Sequence, residues 1–262
     1  MVRIVRIGIA GTRAGNLFAV TASGGVTAPD EAALLGFLRV IASRDDAEVG
    51  RMLESSPALA VVTVRGGATR QDPNTYWFEE IRHHVYEGDT GLHVAAAASR
   101  PAAAESLIAK GADVRARNRR GAEPLHYAAD GNAAGADGDP GAQRAVIASL
   151  ILAGADPNTR DKSGVAPLHR AVRTRATSAV GALLDNGADV RLGNKQGSTP
   201  LHLAVQNTGA SNSGTAEAKG RQREIIALLL QRGARATDTD AKGKTVAAAA
   251  TNDWIRELLA AP

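Results

Sequence analysis

The sequence predicts an all-α fold, a solenoid of stacked helix-turn-helix units preceded by a non-repeat segment. Three observations predict it. A Leu-His pair begins at residues 92, 125, 168 and 201, so four of the six histidines share one local phrase. A Gly-Ala pair begins at 111, 154, 187 and 233, and from each of the first three glycines the next motif leucine lies 14 residues on. The steps from Leu to Gly are 19, 29, 19 and 32 residues, so one half of the unit has fixed length and the other accepts insertions. Self-similarity with such a period marks a repeat architecture.

Residues 1–29 come first and hold Arg3, Arg6 and Arg13 with no acidic residue. Arg13 and Asn16 break the apolar part, which argues against a secretory leader. The stretch reads as a poorly ordered tail and the chain as cytoplasmic. Residues 30–60 read as two helices, 32–43 and 46–54, forming a degenerate capping pair, because the end of a stack must hide its open face. Residues 61–87 break the period. They hold Tyr76, Trp77, Phe78 and Tyr86, half of the eight aromatic residues, and read as an irregular linker whose aromatics seal the first unit's core or anchor a partner. Residues 88–262 hold four repeats and a C-terminal cap of two short helices, in which Trp254, Ile255 and Leu258 cover the last unit.

Local chemistry shapes each unit. In Thr199-Pro200 the threonine suits a helix cap and the proline the first helical turn. "LHLAV" then opens a short inner helix. A second apolar run follows, with Leu107-Ile108, Leu150-Ile151, Leu183-Leu184 and Leu229-Leu230 on one face of an outer helix that ends at the next glycine. One helix pair cannot bury its stripe alone, whereas a stack can. The extra residues, near 131–142 and 207–221, are rich in Gly, Asn, Ser and Asp and read as exposed loops.

This pattern resembles the ankyrin repeat, in which "TPLH" opens the inner helix and "GAD" closes the outer one. Residues 166–202 match it best. Departures are Gly91 and Val246 at the proline position, and Glu123 and Ala166 at the threonine position. The resemblance implies an ankyrin-repeat solenoid, and a structural role for His93, His126, His169 and His202, whose rings in that family bond to backbone of the adjoining turn. Phrases such as "GDTGLHVAAAA" and "NRRGAEPLHYAADG" resemble bacterial ankyrin-repeat proteins, which brings no established activity.

Composition narrows the function classes. Cysteine is absent, so no disulfide or thiolate metal site forms. No apolar run approaches a membrane span. Beyond residue 29 the chain carries 28 basic residues, the total of 31 less the three in the tail, against 27 acidic ones. That near-neutral body argues against nucleic acid as partner. Arginine outnumbers lysine 25 to 6, which reads as the coding bias of a GC-rich bacterial genome. Catalytic and cofactor motifs fail. "AKGKT" has Asp238 where a phosphate loop needs glycine, and Gly8, Gly11 and Gly15 have the wrong spacing for a dinucleotide fingerprint. His83 and His84 each follow a glutamate by four residues, but no third metal ligand is placed by spacing.

A surface remains. The turn tips carry Arg117, Arg119, Arg120, Lys162, Lys195, Lys242 and Lys244, and the inner helices add Tyr127, Arg170, Arg173 and Gln206. The register sets Arg119, Arg120, Lys162, Lys195, Arg170 and Arg173 along one side, with Tyr127 as an aromatic anchor. The expectation is a noncatalytic protein–protein interaction scaffold without cofactor or metal, whose unidentified partner brings an acidic surface or peptide to this groove. The alternatives are nucleic-acid binding and a regulatory subunit of an enzyme complex.

Overall fold

The computed structural model describes residues 30–130, 139–206, 214–250 and 252–260. The expected tail, 1–29, lies outside the described residues, as do 131–138 and 207–213 of the two insertions.

Two helices open the described chain, α1 (Glu31–Ala42) and α2 (Asp46–Ser55). Asp30 and Asp45 start them by accepting the backbone N–H of Ala33 and of Glu48 at 2.7 and 2.9 Å. Four helix pairs follow. The inner helices are α3 (Gly91–Ala97), α5 (Pro124–Ala128), α7 (Pro167–Arg173) and α9 (Pro200–Ala204). The outer helices are α4 (Pro101–Ala109), α6 (Pro140–Leu152), α8 (Thr177–Asp185) and α10 (Ala216–Gln231). The short α11 (Val246–Ala249) and α12 (Asp253–Ala260) close the stack. Inner helices pack on inner helices from α1 and α3 through α11, and outer on outer from α2 to α10, which makes two layers.

The core lies between these layers. Leu92, Leu125, Leu168 and Leu201 are buried, as are Leu107, Leu150, Leu183 and Leu229 of the outer helices. Each buried leucine contributes about 1.5–3 kcal/mol of hydrophobic stabilisation. Small residues let the layers approach: Ala95, Ala128 and Ala171 are all buried one turn after the motif leucine. At the last helix only Ile255 is fully enclosed. Trp254 and Leu258 pack against the core while staying partly exposed.

The insertions are not simply loops. Helix α4 begins 10 residues before Gly111 and α8 10 before Gly187, whereas α6 begins 14 before Gly154 and α10 17 before Gly233. Residues 140–142 and 216–221, expected in loops, are helical. The extended helices serve the inner ones. In the uninterrupted repeats Ser99 and Arg175 adopt the left-handed conformation, with φ of 51° and 57°. That turn lets the N–H of Arg100 reach Ala95 O, and that of Ala176 reach Ala171 O, both at 2.9 Å. In the inserted repeats a glutamine side chain takes over. Gln143 Nε2 donates to Ala128 O at 3.0 Å, and Gln222 Nε2 to Ala204 O at 2.7 Å. Each glutamine stands 11 residues before its glycine, as do Arg100 and Ala176. The same orphaned carbonyl is thus satisfied by backbone in two repeats and by a side chain in the other two.

The non-repeat segment 61–87 contains a minimal hairpin. Strands β1 (Trp77–Phe78) and β2 (His83–His84) pair antiparallel, so the glutamates and histidines at 79–84 do not share a helix face. Phe78, Ile81 and Val85 are buried, and Tyr76 and Tyr86 pack against the core. Helix α1 holds the segment: the Glu31 carboxylate accepts the N–H groups of Arg65 and Gly66, and Arg39 stacks over Phe78 at 4.4 Å. These aromatics mainly seal the first unit, where the small residues of α3 leave room.

Candidate functional site

Each motif histidine joins two turns. The Nδ1 atoms of His93, His126, His169 and His202 accept the backbone N–H three residues earlier, at 3.2, 3.1, 3.3 and 3.1 Å. Their Nε2 atoms lie 3.1, 3.0, 3.0 and 3.2 Å from Ala122 O, Val165 O, Ser198 O and Lys244 O of the following turn. A backbone amide can only donate and a carbonyl can only accept, so the ring must be neutral with its proton on Nε2. Burial pushes the pKa of His93 and of His169 below the ordinary value. For His126 burial, followed by the positive charge of Arg170, brings it to about 3. The bond survives where the helix cap is lost. Glu123 and Ala166 provide no side-chain cap to α5 and α7, yet their amides still reach the ring. The Glu123 carboxylate instead accepts from Arg117 and Thr159, at 2.9 and 2.8 Å.

Turn tips repeat one device. Asn118, Asp161, Asn194 and Asp240 each accept, through Oδ1, the N–H groups two and four residues on, at 2.8–3.1 Å. The signal for this was present in the sequence, since each stands seven residues before the motif leucine or its counterpart Ala247. Successive tips are then stitched together: Arg119 N–H donates to Glu87 O at 2.8 Å, Lys162 N–H to Arg120 O at 3.0 Å, and Ala241 N–H to Gln196 O at 2.9 Å. Gly197 is required at its tip, because φ is 73° and a Cβ there would lie 2.4 Å from Ala241 N. The backbone of each tip is thus held by hydrogen bonds within its own turn.

The expected groove residues divide into two groups. On the tips, Arg119, Arg120, Lys162 and Lys195 are exposed, as is Arg173 at the end of α7. The Arg119 guanidinium is tied to Ala68 O, and both Arg119 and Arg120 stack on Tyr86, at 5.3 and 4.9 Å.

The other two expectations are corrected. Tyr127 is no exposed anchor: it is 3% exposed, its hydroxyl donates to Asp89 Oδ2 at 3.0 Å and accepts from Asn118 Nδ2 at 2.9 Å. The His83 ring covers it at 4.7 Å. Burial, and then Asp89, raise its pKa well above the ordinary value. Arg170 is not a free cation. It is 8% exposed and pairs with Asp130 at 3.2 Å and Asp161 at 3.4 Å, one carboxylate from the preceding repeat and one from its own tip. A position on an inner helix did not reveal that the hairpin and two aspartates would converge there. Arg175 is the cation that sequence reasoning passed over, although "RTR" at 173–175 places it two residues after Arg173.

Among the described residues no group of three or more histidines or carboxylates could hold a metal ion, and no helix is long and apolar enough to cross a membrane. Comparison with known families finds two matches, "Ankyrin repeats (3 copies)" over residues 141–240 and "Ankyrin repeats (many copies)" over residues 92–135. No curated protein matches the chain.

Proposed function

This chain belongs to the ankyrin-repeat family, whose repeats are protein–protein interaction modules, and we propose that it is a noncatalytic scaffold that docks an acidic protein surface on its turn tips. The contacts are Arg120, Lys162 and Lys195, flanked by Arg119, by Lys242 and Lys244 of the last tip, and by Arg173. Tyr127 and Arg170 hold the scaffold and leave the docking set.

The observation that carries this reading is a contrast in charge compensation. Several arginines are paired within the chain: Arg100 with Asp46, Arg117 of the first tip with Glu123, Arg170 with Asp130 and Asp161, Arg191 with Asp238. The exposed tip cations Arg120, Lys162, Lys195, Lys242 and Lys244 form no ion pair among the described residues. The carboxylates nearest them are engaged already, Asp161 by Arg170 and by its own turn, Asp240 by the amides of Lys242 and Lys244. A row of uncompensated cations on hydrogen-bonded turns steers an acidic partner and sets its register. The near-neutral body disfavours the nucleic-acid alternative, which needs many phosphate contacts.

The test is capture from native lysate with mass spectrometry, using the wild type, a Lys162→Glu/Lys195→Glu variant and an Arg144→Glu control on the outer helix α6. The tip variant is expected to lose its partners with the melting temperature unchanged, while the control keeps them. Equal loss from both, or no loss from the tip variant, refutes the tip row as the docking surface.

A further inference from the structure

Between the third and fourth repeats, on the edge away from the tips, the inner helices end around a cavity of about 90 Å³. Val172, Leu203 and Ile225 form its apolar floor, and Arg173, Arg175 and Gln206 its polar rim. We propose that this cavity binds a carboxylate, supplied by an acidic side chain of a protein partner. The source of the carboxylate rests on the interaction reading above; the site itself does not, since none of its residues belongs to a tip.

Three observations converge. Among the described residues the rim holds two guanidiniums and no carboxylate. Arg175 Nη1 donates to Ala218 O and Nη2 to Gln222 Oε1, both at 3.0 Å and both uncharged acceptors. Arg173 is exposed and forms no ion pair among the described residues, and residues 207–213, which follow Gln206, include no charged residue. Nor is Arg175 there for the sake of the turn. The same left-handed position in the first repeat is filled by Ser99, with the same backbone bond to the carbonyl three residues back at 3.1 Å. Glycine or asparagine would take φ of 57° more readily than arginine. Burial, and secondly Arg221, lower the pKa of the Arg175 guanidinium, so the charge sits where an anion would relieve it.

Shape and chemistry select the anion. Guanidinium forks match a planar carboxylate through paired N–H···O bonds. A phosphate dianion gains nothing from the apolar floor, whereas the carbon next to a carboxylate can rest on it.

The probe is acetate, titrated into the full chain at constant ionic strength, with the arginine Nε–H signals of Arg173 and Arg175 followed by NMR. Chloride and inorganic phosphate serve as comparators. Saturable shifts of both signals are expected with acetate in the millimolar range, none with chloride, and at least tenfold weaker binding in Arg173→Gln, a surface change that leaves the Arg175 bonds in place. The Lys162→Glu/Lys195→Glu variant is expected to bind acetate as the wild type does. No shift with acetate, an unchanged midpoint in Arg173→Gln, or preference for phosphate overturns the proposal. Because acetate binding is read apart from partner capture, either reading can fail while the other stands.

Discussion

Acid should loosen this stack through its motif histidines, and His126 sets the scale. Its ring is buried, Nδ1 accepts the Glu123 amide, and Nε2–H donates to Val165 O. A proton added at Nδ1 removes that acceptor, and it brings a second positive charge near Arg170. The folded pKa of about 3 lies below the unfolded value, near 6.5. The unfolded chain therefore binds more protons between the two values. The stabilisation is complete above pH 6.5 and is lost as pH falls toward 3. For His126 alone the loss from neutral pH to pH 5 is about 2 kcal/mol. His93 and His169 act in the same direction, because burial lowers their pKa values as well. Urea unfolding followed by far-UV circular dichroism, at half-unit steps from pH 7.5 to 5, measures this slope above the range where carboxylates titrate. His126→Gln should be less stable at pH 7.5 by about 1–3 kcal/mol, the scale of an unmade buried hydrogen bond. It should also lose less stability on acidification than the wild type, by about 2 kcal/mol at pH 5. A flat wild-type profile, or parallel profiles for the two proteins, would refute the reasoning.

Other consequences follow from single contacts. Gln143→Leu strands the carbonyls of Ala128 and Asp130 and removes the acceptor of Ser178, so it should cost about 1–3 kcal/mol in urea unfolding. Gln222→Leu should cost a similar amount at the fourth repeat, since it faces Ala204 O and Gln206 O in the same way. Tyr127→Phe leaves Asp89 and Asn118 short of a buried partner and should lower stability by about 1–3 kcal/mol while leaving partner capture intact. Arg170→Ala leaves Asp130 and Asp161 facing each other unpaired and should cost about 3 kcal/mol or more, seen as a lowered melting temperature. Stability equal to wild type in any of these would remove the assigned contact from the account.

Much of the architecture is determined by the sequence alone, because the information is local and recurs. Leu-His at 92, 125, 168 and 201 and Gly-Ala at 111, 154, 187 and 233 set the number of units and the order of their helices. A histidine three residues into each inner helix always meets the amide at its own cap, and stacking in register brings the next turn's carbonyl to its other nitrogen. The exposure of the tip cations was legible for the same reason, since a turn between two helices has nowhere to place Lys162 or Lys195 but in solvent.

What only the tertiary structure decided lies where the repeat is broken or where distant units meet. The bounds of the insertions depended on whether the extra residues could extend a helix already packed on its neighbour, and Gln143 and Gln222 made that extension worthwhile by reaching an otherwise unpartnered carbonyl. Tyr127 and Arg170 occupy the face that a repeat pattern labels accessible. Their burial comes from His83, 44 residues before Tyr127, and from Asp130, 40 residues before Arg170. Spacing along one helix specifies which way a side chain starts out. Whether that side chain ends in water or in a salt bridge depends on all the groups that arrive from elsewhere, and the desolvation and pairing that settle it exist only once the chain has folded.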